Sequence, residues 1–215
     1  MKNKVDRLAT ELLETLSNSP VRSRYFLGIT GCPASGKSVL AKKLTDEISS
    51  RTGDDLAVVV PMDGFHLPNN ILEERGLIKS KGAPETFDAD SFVELINRLH
   101  ECPDRSIMCP AYDRRAHDPV ENAITIQPGN RLIIVEGNYL LLGFSPWNTI
   151  HPKMNEVWYI DAPLQTVKER LFHRHISGGA SKDEAERKVA SVDLPNAELI
   201  KKTCSLADKI ICLDN

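Results

Sequence analysis

A glycine-rich segment that ends in lysine and serine carries the clearest chemistry in the sequence. Residues 31–38 read GCPASGKS and fit the pattern G-x-x-x-x-G-K-[ST] at every fixed position. In such a segment the backbone turns tightly enough for several N–H groups to point at phosphate oxygens. Lys37 is placed to reach the β- and γ-phosphates of a nucleotide, and the Ser38 hydroxyl is a ligand for Mg²⁺. The segment predicts nucleotide binding, a property that ATPases, GTPases, kinases and switches share.

Two carboxylates each follow an apolar run that is predicted as a strand. Asp63 comes after LAVVVPM (56–62), and Glu136 comes after RLIIV (131–135). Because ligands of open parallel sheets bind beyond the carboxyl ends of the strands, we expect both side chains beside the phosphate segment. Asp63 opens an irregular stretch and is the predicted general base, whereas Glu136 is the predicted metal-side carboxylate. The reverse assignment of these two roles stays open.

The elements that must position these groups alternate between strands and helices. Apolar, β-branched runs predict strands at 25–30, 56–62, 131–137, 156–161 and 209–213. Helices are predicted at 1–20, at 37–50, at 91–100 with Asp90 or Ser91 as its cap, and after Pro163 through about residue 176. Continuous apolar strands separated by helices indicate an α/β fold with a mostly parallel five-stranded sheet covered on both faces.

Two irregular segments interrupt this alternation. Residues 64–90 and 102–130 are rich in Pro, Gly, Asn or charged residues, and the second contains a short strand-like piece, SIMCPAY. Long irregular stretches in a compact domain are often functional. We therefore expect two acceptor-side insertions within a single domain that spans residues 1–215.

Composition limits the partners of the chain. It has 215 residues, a formal net charge of −3 and no basic excess, so we expect no nucleic-acid partner. Five cysteines without a CxxC pair favour free thiols in a reducing compartment. No apolar run approaches the roughly 18–20 residues that cross a bilayer, which predicts a cytoplasmic protein without a membrane partner. The oligomeric state stays open, and a homodimer is compatible with the sequence.

Five further motifs follow the phosphate segment in a fixed order. They are MDGFH (62–66), PETFDAD (84–90), PAYDRRAHD (110–118), VEGNYLL (135–141) and RLFHRH (170–175). Over residues 22–212 the chain resembles the P-loop kinase family of uridine kinase, phosphoribulokinase and bacterial type pantothenate kinase. Within that family it is most similar to the compact bacterial kinases described as pantothenate-kinase-like or as fructose-transport-system kinases. The resemblance implies a three-layer P-loop NTPase sandwich with a helical lid over residues 168–190.

The resemblance also implies roles for individual residues. Asp63 takes the role of base, Glu136 serves the Mg²⁺ side, and Arg170 and Arg174 close on the phosphates from the lid. The two arginines are four residues apart and so share one helix face. The residues predicted to contact ATP, besides these arginines, are Gly31, Cys32, Pro33, Ala34, Ser35, Gly36, Lys37, Ser38 and Val39. The residues predicted to contact the acceptor are His66, Phe87, Asp88, Tyr112, Arg114, His117 and Tyr139.

We therefore predict an ATP- and Mg²⁺-dependent kinase that acts on a hydroxyl of a sugar, a nucleoside or a pantothenate-like compound. Lys37 and the lid arginines would stabilise the charge that develops on the transferred group. His66 stands where uridine kinases carry a Tyr, and the chain is shorter than a full pantothenate kinase, so the acceptor stays open. The alternative is a nucleotide-binding switch or a slow ATPase, which would need no acceptor pocket.

Overall fold

Alternating strands and helices account for most of the computed structural model, which describes residues 1–20 and 23–213. The strands are β1 (Tyr25–Gly31), β2 (Ala57–Pro61), β3 (Ile107–Asp113), β4 (Asp118–Ile126), β5 (Leu132–Glu136), β6 (Glu156–Asp161) and β7 (Lys209–Cys212). The α-helices are α1 (Lys2–Asn18), α2 (Lys37–Thr52), α3 (Asn69–Glu74), α4 (Ala89–Glu101), α5 (Leu164–Ser177), α6 (Lys182–Lys188) and α7 (Leu194–Lys201). Arg22, where the family resemblance begins, and Asn215, where the predicted domain ends, lie outside the described residues.

The central sheet has the order β2-β5-β1-β6-β7, and every neighbouring pair of strands is parallel. This confirms the predicted α/β fold. The strand β1, which leads into the phosphate segment, lies between β5 and β6. Glu136 at the end of β5 is opposite Pro61 of β2 and Ile29 of β1. The chain therefore leaves β1, β2 and β5 at the same edge of the sheet.

Alternating side chains of β1 fill two apolar clusters, one on each face of the sheet. Ile29 packs with Leu12 of α1 and Leu44 of α2. Phe26 points to the other face and belongs to the cluster that contains Trp147. Because neighbouring residues of a strand face opposite sides, an apolar strand of this kind needs cover on both. Within the described residues, no helix is long and apolar enough to cross a membrane.

The second insertion contains a β-hairpin that the sequence predicts only in part. The strand-like piece SIMCPAY corresponds to β3, which pairs antiparallel with β4. Most side chains of β4 are exposed, and its sequence DPVENAITI lacks an apolar run. A strand that buries so little apolar surface has no periodic signal, because its pairing depends on the partner strand alone.

The predicted cap of the helix at 91–100 is wrong. Helix α4 begins at Ala89, and its N-cap is Asp88. The Asp88 carboxylate accepts a hydrogen bond from the Ser91 backbone N–H at 3.0 Å and another from the Ser91 hydroxyl at 2.8 Å. An aspartate at the N-cap satisfies an amide of the first turn in this way, which positions 90 and 91 inside the helix cannot do.

Two helices cover the region predicted as a lid. The turn between α5 and α6 contains Gly179 with a φ of 94°. Ser181 and Glu184 form a capping box that starts α6. A single π-helical turn, Val189–Asp193, then joins α6 to α7. The His175 imidazole lies 2.6 Å from the Asp193 carboxylate and so ties α5 to that turn.

Candidate active site

The phosphate segment forms a tight turn between β1 and α2. Gly31 and Gly36 have φ values of 142° and 107°, which L-residues with side chains rarely adopt. A Cβ atom on Gly31 would lie 2.5 Å from the Ile160 carbonyl oxygen, so glycine is required for the turn to pass close to β6. The Cys32 side chain is buried, and its Sγ lies 3.5 Å from the Tyr159 hydroxyl. The Cys32 thiol therefore packs inward, and the contact of this residue with ATP stays a prediction.

Two buried polar side chains in this turn fit a phosphate ligand. Ser35 Oγ is buried and has no hydrogen-bond partner among residues 1–20 and 23–213. Lys37 Nζ is buried as well and donates a hydrogen bond to the Cys32 carbonyl oxygen at 2.8 Å. Burial lowers the pKa of Lys37, while the nearby carboxylates Glu136 and Asp63 act in the opposite direction. A cation and an unsatisfied hydroxyl at a helix N-terminus form a favourable environment for an anion.

Glu136 lies beside the first turn of α2, where its carboxylate interacts with the Ser38 side chain. Burial raises the pKa of Glu136 to about 7, although Lys37 and the Ser38 side chain oppose this shift. A hydroxyl and a carboxylate are the hard oxygen ligands that Mg²⁺ prefers, and Mg²⁺ usually keeps phosphate oxygens and waters as its other ligands. Ser38 and Glu136 therefore fit a Mg²⁺ site. In the described part of the chain, no group of three His, Cys, Asp or Glu side chains could hold a metal.

Asp63 lies on the same side of the sheet edge as Glu136. It belongs to a short 3₁₀ turn, Met62–Phe65, that follows β2, and it is half-buried. Its charge interacts with both Lys37 and Glu136. A Cβ atom on Gly137 would lie 2.6 Å from Met62 Cβ, so the glycine after Glu136 lets the two strand ends approach each other. The sequence prediction that both carboxylates lie near the phosphate segment is confirmed in its geometry.

His66 connects Asp63 to two aromatic rings from different insertions. Its Nδ1 lies 2.8 Å from the Asp63 carbonyl oxygen, and its ring centroid is 4.0 Å from that of Phe87 and 4.7 Å from that of Tyr112. Burial lowers the pKa of His66, so the imidazole is neutral near pH 7. Because Nδ1–H then donates to the Asp63 carbonyl, Nε2 is left as a hydrogen-bond acceptor. These three rings form a wall beside Asp63.

Close backbone packing brings the hairpin to this wall. A Cβ atom on Gly64 would collide with the Pro110 carbonyl group, so the 3₁₀ turn lies directly against β3. Lys81 then links the two insertions: its Nζ donates to the His117 carbonyl oxygen at 2.7 Å and lies 5.3 Å from the centre of the Tyr112 ring. The sequence places Lys81 only in a charged loop, and no local pattern separates it from its neighbour Lys79.

Tyr139 packs against the first insertion. Its hydroxyl donates a hydrogen bond to the Gly82 carbonyl oxygen, and its ring packs at 5.6 Å from Phe87 and 5.3 Å from Trp147. Burial raises the pKa of Tyr139, which keeps the hydroxyl protonated. Its contact with an acceptor stays a prediction, since the hydroxyl proton is already engaged with Gly82.

Four other predicted residues lie at the periphery of the site. Asp88 is exposed at the N-cap of α4, and Val39 is 50% exposed on α2. Arg114 and His117 are exposed in the turn of the hairpin, where the charge of Arg114 still interacts with Glu136. The predicted roles of these residues toward ATP or the acceptor remain predictions.

Two arginines of α5 approach the site from the lid. Arg170 Nη1 donates a hydrogen bond to the Ala34 carbonyl oxygen of the phosphate segment at 3.3 Å. The charge of Arg174 interacts with Lys37, His66 and Tyr112. The charge of Arg174 therefore acts on both the phosphate side and the aromatic wall, and the role of the two arginines toward ATP stays a prediction.

Three features together define a P-loop kinase. They are a parallel sheet with a phosphate turn after its central strand, two carboxylates at the ends of β2 and β5, and arginines on a covering helix. Known proteins agree with this class. A protein of Schizosaccharomyces pombe, provisionally named a uridine kinase, is 32% identical over 96% of this chain and 89% of its own length. The ATP-dependent kinase YFH7 of Zygosaccharomyces rouxii is 27% identical over 94% of this chain and 63% of that protein.

A solved structure is similar over nearly the whole chain. The crystal structure of a Silicibacter sp. TM1040 protein, provisionally named a fructose transport system kinase, has a TM-score of 0.85 and 34% sequence identity over 96% of this chain and 98% of that one. No model of a protein family matches the chain. The chain belongs to the P-loop kinase family that includes uridine kinase, phosphoribulokinase and bacterial pantothenate kinase, and it is an ATP-using small-molecule kinase.

Proposed function

We propose that this kinase moves the γ-phosphate of ATP to a hydroxyl group of a sugar, nucleoside or pantothenate-like acceptor that lies between Asp63 and the His66 wall. The observation that carries the proposal is that the Lys37 charge interacts with both carboxylates, Glu136 and Asp63. This interaction joins the phosphate side of the site to the carboxylate that would face an acceptor. A switch or an ATPase would need no such wall.

Asp63 is the general base of the proposed transfer. Its carboxylate orients the acceptor hydroxyl and takes the proton as the new O–P bond forms. The bond from His66 Nδ1 to the Asp63 carbonyl fixes the backbone that carries this carboxylate. His66 Nε2, as a neutral acceptor, holds a second hydroxyl of the same molecule.

Lys37, Arg170 and Arg174 stabilise the charge on the transferred phosphoryl group. Guanidinium groups suit charge that is spread over several oxygens, and a lid formed by residues 168–190 would exclude water that otherwise competes with the acceptor. The contact of Arg170 with the Ala34 carbonyl supports this arrangement, because it holds the lid helix over the phosphate turn.

Ser38 and Glu136 would hold Mg²⁺. When bound, the metal neutralises charge on the β- and γ-phosphates. The interaction of the Ser38 side chain with the Glu136 carboxylate supports this assignment, because it places both groups beside the phosphate turn.

An ATP-consumption assay tests the proposal. Turnover is measured with uridine, D-fructose, pantothenate and no acceptor, in the wild type and in Asp63→Asn. We expect one acceptor class to stimulate ATP consumption and the Asn variant to lose that stimulation. Hydrolysis that no acceptor stimulates, and that Asp63→Asn leaves intact, would instead support a switch or a slow ATPase.

A further inference from the structure

Lys188, the last residue of α6, contacts the first insertion through its ammonium group. Its Nζ donates hydrogen bonds to the Lys81 carbonyl oxygen at 2.9 Å and to the Lys79 carbonyl oxygen at 3.3 Å. Burial lowers the pKa of Lys188, and the charge of Asp193 opposes this shift. Hydrogen bonds from a charged donor are stronger than those between neutral groups. The contact therefore fixes the end of α6 against residues 79–81.

Asp193 joins Lys188 to the helix that carries the lid arginines. Its carboxylate lies 2.6 Å from His175 Nε2 on α5, and its charge acts on Lys188 from the other end of the π-helical turn. Arg170 of the same helix contacts the phosphate turn. Because these contacts tie α5, the π-helical turn and the end of α6 together, a movement of α5 over the phosphate turn also moves Lys188.

Lys81 continues this connection from the first insertion to the β-hairpin. Its carbonyl group accepts from Lys188, while its own Nζ donates to the His117 carbonyl oxygen at 2.7 Å and to Asn69 Oδ1 at 2.6 Å. The same Nζ lies 3.9 Å from the Asp118 carboxylate. An ammonium group has three N–H donors, so these partners occupy most of them. Lys81 is therefore built to hold protein groups together, more than to bind an anionic substrate.

The hairpin turn depends on the contact with Lys81. His117 has a φ of 54°, a left-handed conformation that costs free energy for a residue with a side chain. Its carbonyl oxygen accepts from both Lys81 Nζ and Asn69 Nδ2, the latter at 3.1 Å, and these bonds stabilise the turn. The Lys81 Nζ also lies 5.3 Å from the centre of the Tyr112 ring, which packs against His66 in the acceptor wall. Lys81 thus positions one ring of that wall.

The end of α5 approaches the hairpin as well. A Cβ atom on Gly178, at the C-cap of α5, would lie 3.6 Å from Cε1 of the His117 ring. The segment predicted as a lid therefore meets both insertions, and Lys188 supplies its hydrogen bonds to the first one.

We propose that Lys188 is a positioning residue, which acts through Lys81 to couple closure of the lid over the nucleotide to the shape of the acceptor wall. The inference rests on the proposed kinase function and adds to it a coupling between the two substrates. A nucleotide under the lid holds Lys188 against residues 79–81, and Lys81 then holds the hairpin turn and Tyr112. By linkage, an acceptor that binds this wall strengthens nucleotide binding by the same factor as the nucleotide strengthens acceptor binding.

Hydrogen exchange of the full chain tests the first step without any acceptor. Exchange in residues 77–83 is measured with and without Mg²⁺ and a nonhydrolysable ATP analogue. Amides of this segment bond within it, as Ala83 N–H does to the Ser80 carbonyl oxygen at 2.9 Å, so their exchange reports its local opening. In the wild type, we expect the analogue to slow this exchange at least about threefold, as for one strengthened hydrogen bond.

Three variants of exposed or half-buried lysines separate the contact from general effects. Lys188→Met keeps the apolar stem and removes the donor, so the analogue should no longer slow exchange in residues 77–83 but should still slow it in residues 31–38. Lys188→Arg keeps a cationic donor and should retain the effect. The control Lys201→Met removes an exposed ammonium group from α7 and should behave as the wild type.

The coupling between the substrates is measured as a ratio of two dissociation constants. The Kd of the analogue is determined by calorimetry without acceptor and with saturating acceptor, namely whichever of uridine, D-fructose and pantothenate stimulates turnover. We expect a ratio of at least about three in the wild type and in Lys188→Arg, and a ratio near one in Lys188→Met and Lys81→Met. A purely structural loss would change the individual Kd values and leave their ratio in place.

Three results would overturn the proposal. They are equal slowing of exchange in residues 77–83 in the wild type and Lys188→Met, a loss of that slowing in Lys201→Met, and an unchanged Kd ratio in Lys188→Met. A ratio that Lys188→Met lowers and Lys81→Met does not would exclude the route through Lys81. Because the exchange measurement contains no acceptor, its failure is distinct from failure of the Asp63-dependent turnover assay.

Discussion

The Ser38 side chain interacts with the Glu136 carboxylate and lowers its pKa, and this interaction connects the first turn of α2 to the end of β5. Glu136 is buried, so its ionised form carries a desolvation cost. The Lys37 cation offsets part of this cost. The group that fits Mg²⁺ is therefore also a source of instability in the free enzyme.

Glu136→Gln should stabilise the free enzyme above pH 7. The folded-state pKa of Glu136 is raised from 4.5 to about 7, so the folded protein binds the proton more tightly than the unfolded chain does. Stability therefore falls as the pH rises from 4.5 to 7, and Gln, which mimics the protonated form, avoids this loss. We expect a gain of up to about 3 kcal/mol in the free energy of unfolding above pH 7, measured with urea, and almost none below pH 4.5.

Glu121→Gln is the matched control for this measurement, since Glu121 is exposed on β4. Its free energy of unfolding should change by less than about 0.5 kcal/mol. Equal stability of Glu136→Gln and the wild type above pH 7 would show that the buried carboxylate carries no desolvation cost.

The Mg²⁺ concentration that turnover requires should rise in Ser38→Ala and in Glu136→Gln. Ser38→Ala and Glu136→Gln each remove one of the two oxygens that fit the metal, so we expect half-maximal turnover to need at least about tenfold more Mg²⁺. Kinase turnover is measured at fixed ATP while Mg²⁺ is varied. Identical titration curves in both variants and the wild type would contradict the assignment of this pair.

Asp63→Asn should abolish transfer and spare nucleotide binding. Asn keeps the size of the side chain but cannot take a proton, and loss of a general base typically lowers turnover about 10²–10⁴-fold. A turnover assay measures transfer, and calorimetric titration with a nonhydrolysable ATP analogue measures nucleotide binding. Near wild-type turnover would mean that Glu136 or another group is the base, which the sequence alone leaves open.

The sequence predicts the sheet well because each of its strands is a short apolar run. The run 56–62 is found as Ala57–Pro61, and 156–161 is found unchanged. The strand β4 was not predicted, since it is mostly exposed and depends on β3 for its pairing. Local pattern therefore reveals the elements that bury their own side chains and misses those that pairing alone defines.

The same limit applies to the site. Asp63 and Glu136 can be placed from the sequence, because strand order carries them to one edge. Lys81 and Lys188 cannot, because each acquires its surroundings from segments that are distant in the sequence. Lys81 contacts the hairpin at His117, and Lys188 contacts the first insertion at Lys79 and Lys81.

Arg174→Met should lower turnover without destabilising the fold. Arg174 is exposed on α5, and its charge interacts with both Lys37 and Tyr112. Removing a cation that stabilises developing charge typically lowers kcat about 10²–10³-fold, while Met retains most of the apolar stem. The control is Arg105→Met, an exposed arginine in the turn before β3, which should keep wild-type kcat. Equal kcat values in the two variants would remove Arg174 from the transfer step.

Gly64→Ala should separate the two halves of the acceptor wall. The added Cβ would collide with the Pro110 carbonyl group, so either the 3₁₀ turn or β3 must shift. Such overpacking typically costs about 1–3 kcal/mol, measured as the free energy of unfolding in urea. Because Tyr112 follows Pro110 on β3 and packs against His66, the same shift should raise the KM for the acceptor. The control Gly129→Ala adds a methyl group where nothing lies within 4 Å and should change neither quantity, so an equal effect of both variants would contradict the close-packing explanation.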